Sequence, residues 1–368
     1  LNAYTNKEGT VYYSAILKEH IARAVDLLSD IVFHSVYPQA EIDKEVEVIC
    51  DEIESYNDSP AELIYDEFEN ILFKGSSLGH NILGTAEQVR SFTTEDALRF
   101  TRKLYRPDNA IFFAYGDIDF KKLVKLVGRA LADDDSGKLA EEDCHADFSG
   151  GTGFAGDENS ITTEKSVSSV KSVGPKNYPS VGEEIAGQTI VMQKNTHQAH
   201  VMIGTRAYDV NDDRRMPLYL LNNILGGPGM NAKLNLALRE HNGLVYTVES
   251  TMVAYGDTGT WSIYFGCDEH DIKRCLRLVR KELDRMMEKP LSDSQLKAAK
   301  KQIKGQIGVA CDNRENFALD FGKSFLHYGW EKNVDCLYEQ VEAITSQQIQ
   351  DVARELFDKN RLITLIFK

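Results

Sequence analysis

Gly259-Thr260-Trp261-Ser262-Ile263-Tyr264 is a β-rich run, and Asp268-Glu269-His270-Asp271-Ile272 after it opens an amphipathic helix. The same arrangement stands near the start of the chain, as Gly9-Thr10-Val11-Tyr12-Tyr13 and Lys18-Glu19-His20-Ile21. Each helix runs to a short turn with proline, Tyr37-Pro38 and Lys289-Pro290, and a second helix follows, Glu41 to Tyr56 and Ser292 to about Ala310. Further on, Thr93-Thr94-Glu95-Asp96 and Thr345-Ser346-Gln347-Gln348 read as capped helix starts. Both of those helices lead to hydrophobic runs expected to be strands, Ala110 to Tyr115 and Leu362 to Phe367. The separation is 250 between His20 and His270, 252 between Thr93 and Thr345, and 254 between Glu45 and Ala299. Matches in one order with nearly one offset indicate an internal duplication.

The duplication sets the expected architecture. The chain reads as an α+β protein of two homologous domains, each a mixed or antiparallel sheet packed against helices. Residues 1–132 form the first domain and 188–368 the second, joined by a linker over 133–187. The linker is rich in Ser, Gly, Asp and Glu and includes Asp133-Asp134-Asp135 and Ser149-Gly150-Gly151. Before its matching point the second copy holds about 60 residues, roughly Gly187 to Ser250. They read as strands Thr189–Met192 and His200–Thr205, helix Arg214–Leu225, a glycine-rich turn, helix Asn231–Glu240 and strand Leu244–Ser250. The first copy has almost nothing before its own matching point, so the first domain is expected to be N-terminally truncated and under-packed.

Composition narrows the function classes. Of 368 residues, 42% are hydrophobic and 27% charged, ordinary values for a globular protein. No apolar run is long enough for a membrane span. A net charge of −15 argues against nucleic acid, which needs a basic footprint. The six cysteines show no C-x-x-C spacing and read as reduced thiols in a cytoplasmic protein. Cys144-His145, inside the linker, reads as solvated loop.

On the helix from Glu41 to Tyr56, Ile42, Val46, Ile49 and Ile53 mark the buried face. Glu45 and Glu52, seven apart, stack at the edge of that stripe. Their counterparts in the second copy are Ala299 and Gln306, so one copy carries two carboxylates where the other has none. A carboxylate there could ligate zinc, given further ligands. No H-E-x-x-H or H-x-x-E-H occurs in the chain. His20 and His270 fall at equivalent places and read as surface or structural, and His197 and His200 have no acidic partner in sequence.

Leu1-Asn2-Ala3-Tyr4-Thr5, Glu45-Val46-Glu47-Val48-Ile49-Cys50-Asp51-Glu52, Leu78-Gly79-His80-Asn81-Ile82-Leu83-Gly84-Thr85 and Tyr105-Arg106-Pro107-Asp108-Asn109 closely resemble the pitrilysin/insulinase family of zinc metallopeptidases. The resemblance continues through Gln198-Ala199-His200-Val201, Leu225-Gly226-Gly227-Pro228-Gly229-Met230, Leu238-Arg239-Glu240 and Gly243-Leu244-Val245-Tyr246. It is nearest to the branch like mitochondrial processing peptidase, with short bacterial members.

That resemblance implies a zinc-dependent endopeptidase of peptides or unfolded segments. The family binds zinc through two histidines of an H-x-x-E-H helix and one glutamate on a later helix. Glu52 matches the glutamate ligand and Glu45 a second acidic residue that supports the site. Arg239 and Tyr246 match a pair that hydrogen-bonds the substrate backbone, and such groups can also stabilise a developing oxyanion. Asn2, Ala3 and Tyr4 match the edge strand along which an extended peptide is laid. The expected catalytic set is therefore Glu45, Arg239 and Tyr246, with Glu52 as metal ligand. The substrate contacts are Asn2, Ala3, Tyr4, Arg239 and Tyr246. The H-x-x-E-H segment is not in this chain, so the polypeptide is expected to be inactive and to hold zinc poorly. The resemblance implies a homodimer, with a heterodimer of related subunits as the alternative. A non-catalytic peptide-binding or assembly subunit of the same fold is the alternative function.

Overall fold

The computed structural model describes residues 1–132, 186–329 and 333–368. Nearly all of the expected linker, with Cys144 and His145, lies outside the described residues. The N-terminal copy begins with an antiparallel hairpin, β1 (Asn2–Thr5) and β2 (Thr10–Tyr13), in register from Asn2↔Tyr13 to Thr5↔Thr10. Six helices follow: α1 (Ile21–Phe33), α2 (Gln39–Asn57), α3 (Pro60–Leu72), α4 (Ala86–Arg90), α5 (Thr94–Leu104) and α6 (Phe120–Ala132). Pro60 starts α3, where its missing N–H is no loss. A reciprocal capping box closes α5: the Thr93 side chain accepts from Asp96 N, and the Asp96 carboxylate accepts from Thr93 N.

The C-terminal copy runs β3 (Thr189–Met192), β4 (Ala199–Ala207), α7 (Arg215–Gly226), a π-helical segment Asn235–Glu240, β5 (Val245–Ala254) and β6 (Gly259–Cys267). It continues with α8 (Ile272–Glu288), α9 (Asp293–Asp312), α10 (Arg314–Tyr328), α11 (Val334–Ala343), α12 (Ser346–Leu356) and β7 (Ile363–Phe367). The strands form one mixed sheet in the order β3-β7-β4-β6-β5, parallel only between β3 and β7. A capping box at Thr345, with Gln348, repeats the one at Thr93. The duplication is therefore real in three dimensions, helix for helix from α1/α8 to α5/α12.

One expected strand is missing. Residues 110–115 form no strand, whereas their counterpart β7 lies between β3 and β4. A strand exists only by pairing. The described N-terminal copy has no equivalents of β3 and β4 to pair with, so this apolar run stays unladdered. Its sheet is the two-stranded hairpin alone.

The five-stranded sheet is buried on both faces, which explains why β7 reads as a nearly continuous apolar run. Val201, Ile203, Trp261, Ile263, Phe265 and Ile366 point to one side, into a core with Leu218, Leu221, Cys275, Val279, Val352 and Leu356 from α7, α8 and α12. Met202, Tyr264, Ile363, Leu365 and Phe367 point to the other, where Leu63, Ile64, Phe68 and Leu72 of α3 cover them. The covering helix belongs to the other copy. The relation is reciprocal: α10, the counterpart of α3, lays Phe321 on Phe113 (centroids 4.9 Å apart) and Phe317 on Tyr115 (5.5 Å).

Polar ties follow the same seam. Arg206 donates through Nε to the Leu72 carbonyl at 2.8 Å, at the negative C-terminal end of α3. The Tyr255 hydroxyl donates to Glu69 Oε1 at 2.8 Å, and Tyr65 donates to Glu249. The tip of the β1–β2 hairpin meets the tip of β5–β6, where Gly256 N donates to Glu8 Oε1 at 3.0 Å. By contrast, the N-terminal copy exposes Leu17, Val36, Val48, Phe92, Phe100 and Phe120. Among the described residues five cysteines are free thiols, and no helix is long and apolar enough to cross a membrane.

Candidate functional site

Helix α2 is held to α3 and α4 by its Ile49, Cys50 and Ile53 side, with Cys50 buried. One flank of that side carries Glu45, Val48 and Glu52, all exposed; Val48 is 50% exposed. Among the described residues, neither Glu45 nor Glu52 has an ion pair or hydrogen bond. Neighbouring charges on α2 find other partners, Glu41 with Lys44 and Glu47 with Arg90. The face that the sequence singled out is therefore open and acidic.

The other copy shows what such a face is built to meet. At the position of Glu52 stands Gln306 on α9, whose Oε1 accepts from Asn223 Nδ2 of α7 at 2.6 Å. One turn earlier, Gln302 Oε1 accepts from Asn231 Nδ2 at 2.9 Å. A helix thus lies across α9 and engages its side chains. The described N-terminal copy has no helix in the corresponding place over α2.

Zinc needs nitrogen, sulfur or oxygen ligands converging at about 2 Å. Among the described residues, the one group of three metal-capable side chains within reach of each other is Asp268, His270 and Asp271, on the surface of the other copy. Among the described residues Glu52 belongs to no such group. The residues present do not make a zinc centre by themselves.

The proposed substrate strand is accessible. Asn2, Ala3, Tyr4 and Thr5 of β1 are all exposed, and β1 pairs only with β2, which leaves its outer edge unladdered among the described residues. Asn2 Nδ2 donates to the Tyr13 hydroxyl at 3.1 Å, and the Tyr4 and Tyr13 rings meet edge to face. A free edge of this kind can accept an added strand.

Arg239 and Tyr246 are brought together. The guanidinium carbon of Arg239 lies 5.2 Å from the centre of the Tyr246 ring, within cation–π range. Both sit on irregular backbone. Arg239 is in the π-helical segment, and Tyr246 lies where the β5–β6 register slips between Val245 and Val248. Such departures from regular geometry re-aim side chains and are frequent at functional sites. The slip leaves Tyr246 81% exposed. The expected helix Asn231–Glu240 is regular only in part, and its periodicity gave no sign of the π turn. The Asn242-Gly243 dipeptide, a turn signal, was the available hint. No hydrogen bond, ion pair or ring contact among the described residues joins Glu45 or Glu52 to Arg239 or Tyr246.

His200 is structural. Its Nδ1 lies 2.9 Å from the Tyr264 hydroxyl on the sheet face covered by α3, and burial lowers its pKa below the ordinary histidine value.

Residues 91–303 match the family described as peptidase M16 inactive domain, and residues 1–86 match the insulinase family, peptidase family M16. The chain belongs to peptidase family M16. An uncharacterized zinc protease, YmxG of Bacillus subtilis, is 27% identical over the whole of this chain and 80% of its own length. An uncharacterized zinc protease of Streptomyces coelicolor is 28% identical, again over the whole chain, and is covered over 73% of its length. Among solved structures, a protease from Helicobacter pylori has the same fold, with a TM-score of 0.76 at 17% identity, covering 95% of this chain and 77% of that one. The M16 assignment thus agrees with the resemblance read from the motifs and with the two-domain fold.

Proposed function

We propose that this chain carries the substrate-binding part and one metal ligand of a zinc-dependent endopeptidase that acts on peptides or unfolded segments. The peptidase half is residues 1–132 and the substrate-contacting half is 188–368. Glu52 is the ligand it supplies to zinc, and Glu45 supports it. An extended peptide adds to the free edge of β1 through the backbone at Asn2, Ala3 and Tyr4, while Arg239 and Tyr246 hold its carbonyls. The observation that carries this reading is the asymmetry of the copies: exposed Glu45 and Glu52 on α2, against Ala299 and Gln306 on α9, where Gln306 is engaged by Asn223. Zinc, when bound, would supply an activated water. The 368-residue chain by itself is expected to hold far less than one zinc per molecule. The test takes the protein isolated from its natural host: stoichiometric zinc that is lost with Glu52→Gln supports the reading, and full zinc in the variant overturns it.

The protein acts as a homodimer in this reading, with the Arg239–Tyr246 pair serving the partner's metal site. Nothing among the described residues joins that pair to Glu52 within one chain, which favours the arrangement. In the protein as produced by its natural host, mixing Glu52→Gln and Tyr246→Phe chains should restore part of the casein-cleaving activity that each lacks alone. No recovery in mixed dimers would refute the shared site.

A second reading, a non-catalytic peptide-binding or assembly subunit, is favoured by one observation. Glu52 stands without other metal ligands among the described residues. Peptide binding by the natural protein without zinc and without cleavage would select it.

A further inference from the structure

Tyr246 is exposed and Arg239 half-buried, with its Nε 3.9 Å from Glu240 Oε1, and the backbone between them helps set their separation. The backbone between them folds back sharply. His241 N donates to Leu236 O at 3.0 Å, Leu244 N to Leu238 O at 2.9 Å and Gly243 N to Arg239 O at 2.7 Å, with Gly243 at φ +61°. Asn242 sits at the apex with its side chain turned inward, half-buried. Its Nδ2 donates to the Ala237 carbonyl of the π-helical segment at 2.8 Å. Its Oδ1 accepts from Arg274 Nη2 at 2.9 Å. Arg274 is in the first turn of α8, next to the fully buried Cys275, so the second bond anchors the turn to a helix fixed in the core.

We propose that Asn242 is a positioning residue: its amide clasps the π-helical segment to α8 and thereby fixes Arg239 against Tyr246 in a grip for peptide backbone. The inference rests on the reading of Arg239 and Tyr246 as that grip. It depends on the chemistry of an amide, which donates and accepts at once. A carboxylate in its place accepts only, and an ammonium donates only. The clasp ties the π turn that carries Arg239 to α8, and it lies four residues before Tyr246 at the register slip. Without it both are free to relax toward regular helix and strand, which would part the two side chains. A secondary member follows from the same geometry: Arg274 acts through Asn242 and touches neither gripping residue.

The test reads position and binding separately. In NMR spectra the Arg239 side-chain resonances should carry a ring-current shift from Tyr246, identified by its loss in Tyr246→Leu. Asn242→Ala should abolish that shift and weaken binding of fluorescein-labelled casein about fivefold, the order expected for one hydrogen-bond linkage. The thermal midpoint should change little. Asn242→Asp, which keeps the bond to Arg274 and loses the bond to Ala237, and Arg274→Ala, which does the reverse, should each produce part of the effect. These two keep the proposal testable should Asn242→Ala fail to fold. Unchanged ring-current shifts in all three variants would overturn the proposal. Casein binding that is insensitive to both Arg239→Ala and Tyr246→Leu would instead refute the grip, while the shifts still report on the clasp.

Discussion

His200 and His327 are both half-buried, and burial lowers the pKa of each; at His327 Lys323 adds to the lowering and Glu8 opposes it. Below about pH 6.5 the unfolded chain takes up protons on these rings that the folded chain resists. Their contribution to stability is therefore present above that pH and is lost as pH falls through the lower folded values. The thermal midpoint should drop from about pH 7 toward about pH 5, and His200→Gln should flatten the slope. A midpoint whose pH dependence is unaltered in that variant would count against the account. Glu69 works in the other direction. Burial raises its pKa, while Tyr255 and Lys7 oppose the rise and Asp66 adds to it. Its charge is disfavoured in the fold, and its protonation restores stability as pH falls through the raised value.

At the scale of elements, α3 owes its place to one apolar stripe. Phe68 is fully buried against the sheet of the other copy, so Phe68→Ala should cost about 3–5 kcal/mol in denaturant unfolding. Phe120, on the open side of α6, is the control; its replacement by alanine should shift stability by roughly 0.5 kcal/mol or less. Thr345→Ala removes the cap of α12 and should cost about 1 kcal/mol. These elements also mark how far sequence reasoning reached. Caps at Thr93 and Thr345 and the repeated strand–helix runs were readable because local chemistry dictates them. The strand expected at 110–115 was not, because its residue types suit a strand but pairing depends on neighbours far away in sequence. The covering of β7 by α3 was hidden for a similar reason: an apolar run states that both faces are buried and says nothing of what buries them. Of the site, Glu45, Glu52 and Asn2 to Tyr4, chosen from sequence, lie on exposed surface, and their roles are those proposed above. The π turn, the register slip and the clasp at Asn242 were illegible, since backbone irregularity leaves no periodic signature.

For the whole molecule, the exchange of covering helices makes the copies interdependent. A fragment of residues 188–368 alone would expose Met202, Tyr264, Ile363, Leu365 and Phe367, the face that α3 covers. It should aggregate when expressed by itself and become soluble when co-expressed with residues 1–132, with which it should co-purify. Solubility and monodispersity of the lone fragment would show that the cross-copy packing is dispensable. The reciprocal contacts, α3 on β7 and Phe321 of α10 on Phe113, have a consequence for the history of the chain as well. Duplicated units usually drift apart freely, one keeping the ancestral task while the other decays. Here each repeat is the other's lining, so decay is confined to surfaces outside the shared seam. The positions where the copies differ most in chemistry, Glu45 and Glu52 against Ala299 and Gln306, lie outside that seam, where one copy can change without stripping the other of its cover.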